Sequence, residues 1–385
     1  MSLAGEAAAE ARRKTISAID DDSVRVGPLT WLVRADLDLE ANDNILFASS
    51  DPEFDLIVRP QVNARMAWWV SEKNSVNVAL GTGYSIYAVH PEFNRLFVVP
   101  GSELSFDLYI GDFRIDLHER LSITKDAYQD PTAVGGADYS QLQNTVGVTA
   151  NCDLNKLVLR FGYDHANYNM LSGEGGLSDG DSDIFALSAA YRLRPTAVVG
   201  VETGGGWIGY SGDVPIEKAV DWNIGGFVEA QPTEYISIKG TAGYTVYKSA
   251  TSDTTSSGSE FTGVYARLEM EHRVNRYVEY SLTGGRSISF GFYAGTVDMY
   301  TTTLEMRWHL FQKLNVSVGF GFEHGTQVLV GQETFDRFGP HVAMGRPITA
   351  KMSGALRYQY YKRESDFAGG DYAINLVTLN LSYRL

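Results

Sequence analysis

Val377-Thr378-Leu379-Asn380-Leu381-Ser382-Tyr383-Arg384-Leu385 alternates apolar and polar residues without a break. A period of two places successive side chains on opposite faces of an extended strand, so this segment reads as a β-strand with one apolar and one wet face. Val377, Leu379, Leu381, Tyr383 and Leu385 share the apolar face. One such strand also suits the edge of a soluble sandwich. The rest of the chain decides the matter, because it repeats the pattern.

Leu29, Trp31, Val33, Ala35, Leu37 and Leu39 fall on one face of a strand whose other face carries Thr30, Arg34, Asp36, Asp38 and Glu40. The next strand sets Leu56, Val58, Pro60, Val62, Ala64, Met66 and Trp68 against Arg59, Gln61, Asn63 and Arg65. Pro60 has no N–H to give to a ladder, so it predicts a bulge or a missing bond there. Short turns are expected near Ser71-Glu72-Lys73-Asn74, Gly111-Asp112, Asp153-Leu154-Asn155, Arg194-Pro195-Thr196, Gln231 to Glu234, Arg273 to Arg276, Phe311-Gln312-Lys313 and Gly345-Arg346-Pro347. Longer polar segments such as Tyr168 to Asp181 and Ser249 to Glu260 lie between them. Short turns at one rim and longer loops at the other are the asymmetry of a transmembrane barrel. The expectation is all-β: a single closed antiparallel transmembrane barrel of about eighteen strands, an even number that places both termini on the periplasmic side. No segment looks long enough for a large folded-in loop.

Composition agrees. With 44% hydrophobic residues and no apolar run near the ~20 residues of a spanning helix, a helical membrane bundle is excluded. A net charge of −15 with no basic stripe argues against nucleic acid as a partner. The single cysteine, Cys152, allows no intrachain disulfide and no Cys-based zinc site. No apolar core of a signal peptide heads the chain, so an exported protein would have had its signal removed. Residues 1–22, rich in Ala, Glu and Arg, read as a periplasmic arm or leader, helical or disordered; 23–385 read as the barrel.

The inward face carries small residues and charges of both signs. Gly81, Gly83, Gly147, Gly162, Gly225, Gly243, Gly263 and Gly319 keep the wall low. Arg34, Asp36, Asp38, Arg59, Arg65, Arg114, Asp116, Arg120, Arg160, Arg192, Glu229, Lys239, Arg267, Glu269, Glu305, Arg307, Lys351 and Arg357 are the expected pore lining. A barrel of this size leaves an aqueous lumen unless plugged, and rings of charge in a lumen set solute preference. The inward count leans basic although the chain is acidic, which predicts a weakly anion-preferring pore. Among inward aromatics, Tyr87, Tyr109 and Tyr265 are the candidates for stacking on a sugar ring. Glu119 falls on the lipid-facing parity after Phe113, Ile115 and Leu117; a bulge that shifts the register is the expected reason, and a protomer contact the alternative.

Signals for catalysis and cofactors are weak. None of the seven histidines has a metal-ligand spacing, and His165, near a rim, has no Ser nucleophile beside it. Asp179, Asp181 and Asp183 start like a calcium loop but lack its central Gly and its closing Glu. No cofactor and no enzymatic activity are expected.

The opening third resembles the outer-membrane β-barrel porins of Gram-negative bacteria often encoded beside exopolysaccharide genes. The resemblance rests on the acidic first strand running into Asn42-Asp43-Asn44-Ile45, on Phe54-Asp55-Leu56-Ile57-Val58-Arg59-Pro60, on Gly83-Tyr84-Ser85-Ile86-Tyr87, and later on Tyr191-Arg192-Leu193-Arg194-Pro195-Thr196. It implies an outer-membrane pore for small hydrophilic solutes or an exported glycan, and it supplies no catalytic residues. By the same resemblance, Val377, Leu379, Leu381, Tyr383 and Leu385 form the signal read by the barrel assembly machinery. The expected partners are therefore that machinery, outer-membrane lipid with lipopolysaccharide, and a homo-oligomer or cell-envelope complex. A non-conducting structural or binding barrel in such a complex is the competing reading.

Overall fold

The computed structural model describes residues 23–71, 73–123, 140–172, 179–211, 218–250, 260–290, 296–311, 313–327 and 333–385. The arm expected over 1–22 lies outside them. After the short β1 (Val24–Val26), eighteen strands follow one another antiparallel, from β2 (Leu29–Asn42) and β3 (Asp55–Trp69) to β18 (Met352–Ser365) and β19 (Tyr372–Arg384). Each pairs with its neighbours in sequence, and β19 pairs with β2 from Arg34↔Arg384 to Asn42↔Leu376. The sheet is a closed barrel. Closure satisfies every strand edge, which is what a lipid surrounding demands.

β19 stops where β2 still runs on toward the rim. The Leu385 N–H donates to the Val33 carbonyl at 3.1 Å, and beyond it β1 folds back through Gly27-Pro28 to pair Val24↔Trp31 and Val26↔Leu29. β1 thus continues the line of β19 and covers the overhang of β2. Gly27 adopts φ +61°, which a side chain would strain. Three residues carry too little alternation for β1 to be legible in the sequence.

Both faces follow the parity of the sequence. Leu56, Val62, Trp68, Leu80, Tyr84, Ile86, Leu104, Leu117 and Val146 are exposed outward, as are Val377, Leu379 and Tyr383. β1, β2 and β19 reach the same rim as the short turns. Several strands outrun the sequence expectation. Tyr168 to Ser172 belong to β8 (Leu157–Ser172) and Asp179 to Asp181 open β9 (Asp179–Arg194), rather than a loop. Pro347 ends β17 (Thr334–Pro347), and the turn follows it. Glu119 needs a correction as well: the register runs unbroken from Glu103↔Arg120 to Ile110↔Phe113, so no bulge turns Glu119 inward. The shift lies further along, between Val98 and Ser102, where Gly101 takes φ +95°.

The loop from 43 to 54 folds into the mouth, although no loop was expected to be long enough for this. Ile45 and Phe47 are buried against inward residues: Ile45 on Ile57 and Tyr87, Phe47 on Tyr372, Ile374 and Leu376. The Phe47 and Tyr372 rings stack with centroids 5.3 Å apart. Asn44 staples the turn: its Nδ2 donates to the carbonyls of Ala48 (2.8 Å) and Ala373 (3.0 Å), and its Oδ1 accepts from the Ala48 N–H (2.8 Å). Asn375 holds the entering limb, donating through N and Nδ2 to the Asp43 carboxylate, both at 2.7 Å. Phe47 and Asp51 both sit at φ 55°, a conformation that costs a side chain energy and persists because these contacts outweigh it.

Candidate functional site

The register places the expected lining residues on the inward face, with one exception. Lys351 lies in the turn after Pro347, at the rim and off the wall. The strand pairing then decides which charges meet. The Arg59 guanidinium is buried on Glu40 at 2.8 Å, with Nε donating to Ser85 Oγ at 3.3 Å. Arg114 meets Asp107 at 3.0 Å, and Asp107 also accepts from Asn77 at 3.2 Å. Arg120 meets Glu103 at 3.0 Å and Asp164 at 3.8 Å. Between them His118 spans Asp116 and Asp164, one ring nitrogen at 2.8 Å from each.

Pairing continues around the wall. Arg267 meets Glu269 at 2.7 Å, Lys239 meets Glu229 at 3.8 Å, and Arg307 meets both Glu305 (2.9 Å) and Glu279 (3.6 Å). Arg192 sits at the turn rim on Asp153 (3.1 Å) and the Asn155 carbonyl. Asp38 accepts from Asn380 and Asp36 from Asn63. Arg34 reaches Asp36 only at 3.9 Å. Arg65, Arg160 and Arg357 meet no carboxylate among the described residues; Arg357 donates to Gln359 at 2.7 Å. These three are inward positive charges outside any ion pair among the described residues, on a wall where most other charges meet a partner of opposite sign.

Sequence reasoning missed a second layer nearer the mouth. Arg363, fully buried, meets Glu333 at 2.7 Å and the Gly370 carbonyl at 2.8 Å, its guanidinium 4.1 Å over the Phe335 ring. Arg337 pairs with Glu323 and lies 4.9 Å over the Tyr361 ring. Continuing the inward parity along β17 and β18 would have found both arginines. Nothing in the sequence points to their partners.

Several of the glycines are covered by rings. Tyr265 lies across Gly225 and Gly243, where a Cβ on Gly243 would come within 2.5 Å of the ring, and its hydroxyl donates to Glu202 at 3.0 Å. Phe97 covers Gly83, Phe227 covers Gly200, and His341 covers Gly319 in the same way. These glycines are seats for rings, whereas Gly81 faces Asn63 and Val99, Gly147 faces Asp164 and His118, and Gly162 has only Thr149 at 4.0 Å. Of the expected stacking residues, Tyr265 is thus already engaged and Tyr87 is buried in the mouth cluster; Tyr109 remains exposed at the turn rim.

Asp179, Asp181 and Asp183 stand on the outward face of β9, in a strand and not in a loop. Asp179 accepts from the Met170 N–H at 2.8 Å, and Asp183 accepts from the Tyr163 hydroxyl (2.6 Å) and pairs with the His165 ring (2.9 Å). Extended backbone separates these carboxylates, so the coordination loop the spacing suggested is not formed.

No protein-family model matches the sequence, and no curated protein matches it. Solved structures match the fold along nearly its whole length. The outer membrane protein OpdK of Pseudomonas aeruginosa superposes with a TM-score of 0.52 at 11% identity, covering 92% of this chain and 98% of that one. A BenF-like porin from Pseudomonas fluorescens Pf-5 gives 0.55 at 9%, covering 94% and 100%. OccK2 (OpdF) of Pseudomonas aeruginosa, in complex with glucuronate, gives 0.55 at 10%, covering 93% and 98%. This chain has the closed eighteen-stranded antiparallel barrel fold of those Gram-negative outer-membrane porins.

Proposed function

We propose that the protein is a passive pore of the Gram-negative outer membrane, a channel and not an enzyme, that admits small hydrophilic solutes and favours anions. The observation that carries the preference is the set Arg65, Arg160 and Arg357, inward cations outside any ion pair among the described residues, whereas Arg59, Arg114 and Arg120 each meet a carboxylate. Uncompensated charge facing water in a pore attracts counter-charged solutes. The porin fold supports the pore itself, and the glucuronate complex of OccK2 is in keeping with a carboxylate as solute. In this reading the short-turn rim, with both ends of the barrel, faces the periplasm. Passage of a glycan strand rests on the sequence resemblance alone and is the narrower form of the same proposal. Proteoliposome swelling tests it: isotonic glucuronate should enter faster than an uncharged sugar of similar size, and that faster than glucosamine. Equal rates would remove the anion preference. No swelling with any solute would favour the non-conducting structural barrel.

A further inference from the structure

His90 lies in the segment between β4 (Ser75–Tyr87) and β5 (Arg95–Ile110), just before a single 3₁₀ turn, Pro91–Phe93. Its two ring nitrogens face two different carboxylates. Nδ1 is 3.0 Å from Asp55, the first residue of β3, and Nε2 is 2.7 Å from Glu53, on the returning limb of the inward-folded loop. That limb closes the loop base, because the Ile45 N–H donates to the Glu53 carbonyl at 3.0 Å. The apolar side of the same loop packs on the same segment: Phe93 and Tyr87 contact the Ile45 cluster. One imidazole therefore joins the loop in the mouth to the neighbouring loop.

We propose that His90 is a proton-operated latch: charged, it clasps the loop from 43 to 54 in the mouth of the barrel, and neutral, it lets go of the returning limb. The chemistry is asymmetric. Asp55 accepts three backbone N–H groups, from Ala88 (2.8 Å), Val89 (3.0 Å) and His90 (2.9 Å), and stays in place whatever the ring does. A neutral imidazole has one N–H, which Asp55 retains at Nδ1. Nε2 then presents a lone pair to the Glu53 carboxylate, and the contact becomes repulsive. The charged groups around the ring are all acidic: Asp55, Glu53 and Glu92 in the 3₁₀ turn; the remaining neighbour, Phe93, is apolar. The Asp55 hydrogen bond, chiefly, with these charges raises the His90 pKa above its ordinary value. A raised folded pKa gives stabilisation that is complete below the ordinary histidine value and is lost as pH climbs through the raised one. The latch is closed in acid and opens toward alkaline pH.

An effect on flow rests on the pore reading; the latch does not, so two readouts keep them apart. Amide-exchange protection of residues 43–54, taken relative to an unstructured peptide at each pH, is measured on the full chain in liposomes at about pH 5.5 and about pH 8.5. The wild type should lose protection at the higher pH. His90→Gln should show the low protection at both. Glu53→Gln should keep the loop protected at both, since an amide accepts from a charged ring and donates to a neutral one. Unchanged wild-type protection, or a Glu53→Gln protein that still loses it, would overturn the latch. Conductance in the same buffers reads the second question. A loop that releases while the bilayer stays silent supports the latch and counts against the pore.

Discussion

Replacing Arg65, Arg160 and Arg357 together by Gln removes three inward cations that stand outside any ion pair among the described residues. Eighteen strands spaced about 4.8 Å apart and tilted about 40° enclose a wall of radius about 18 Å, and an extended Arg brings its charge to about 12 Å from the axis. At that distance in water each charge is worth about 0.35 kcal/mol to a monovalent ion, so the three together supply about 1 kcal/mol. Salt at 0.1 M, with a Debye length of about 10 Å, leaves about 0.3 kcal/mol of this. That is a factor of about 1.7 for each sign of ion, and a change of about threefold in the anion-to-cation permeability ratio. At 1 M the Debye length is about 3 Å and the change should vanish. Reversal potentials across a planar bilayer, in matched gradients at low and high salt, read the ratio directly. An unchanged ratio at low salt, or a shift undiminished at high salt, would mean that these arginines do not set the preference.

Three further outcomes follow from the packing. Glu333→Ala takes a carboxylate from the fully buried Arg363 guanidinium and should cost about 3–5 kcal/mol, seen as a lower temperature for loss of the compact band on a heat-modifiability gel. Gly243→Val drives a side chain into the Tyr265 ring and the Ile224 carbonyl; overpacking of about 1–3 kcal/mol should displace the ring and break the hydroxyl's bond to Glu202, checked by thermal unfolding and by a crystal structure of the variant. Deleting Val377–Leu385 exposes the β2 and β18 edges and should abolish membrane insertion; a truncated protein that is still heat-modifiable and membrane-embedded would contradict barrel closure.

Parity was legible because it is local: each strand announces its own two faces. Pairing was not, because it depends on register between segments far apart in sequence. Parity alone would group Arg59, Arg114 and Arg120 with Arg65 as lumen charges. The register gives the first three to Glu40, Asp107 and Glu103 and leaves Arg65 in no ion pair among the described residues. Removing those three would uncover buried carboxylates as well as subtract cations, so selectivity and stability would change together. The inward loop had a signal that went unread: Ile45-Leu46-Phe47 is an apolar run in a segment that polar residues should fill. Such a run at a rim needs a surface to cover it, and the inner wall is nearest. Glu119 shows the converse. The residue obeys its parity, and among the described residues the wall offers its carboxylate no partner.

Whether the closed barrel conducts is read by single-channel recording of the purified protein in a planar bilayer. Discrete, ohmic openings that select weakly for anions at low salt are expected. A protein shown to be inserted and heat-modifiable that passes no current at any salt concentration or pH would contradict the pore reading.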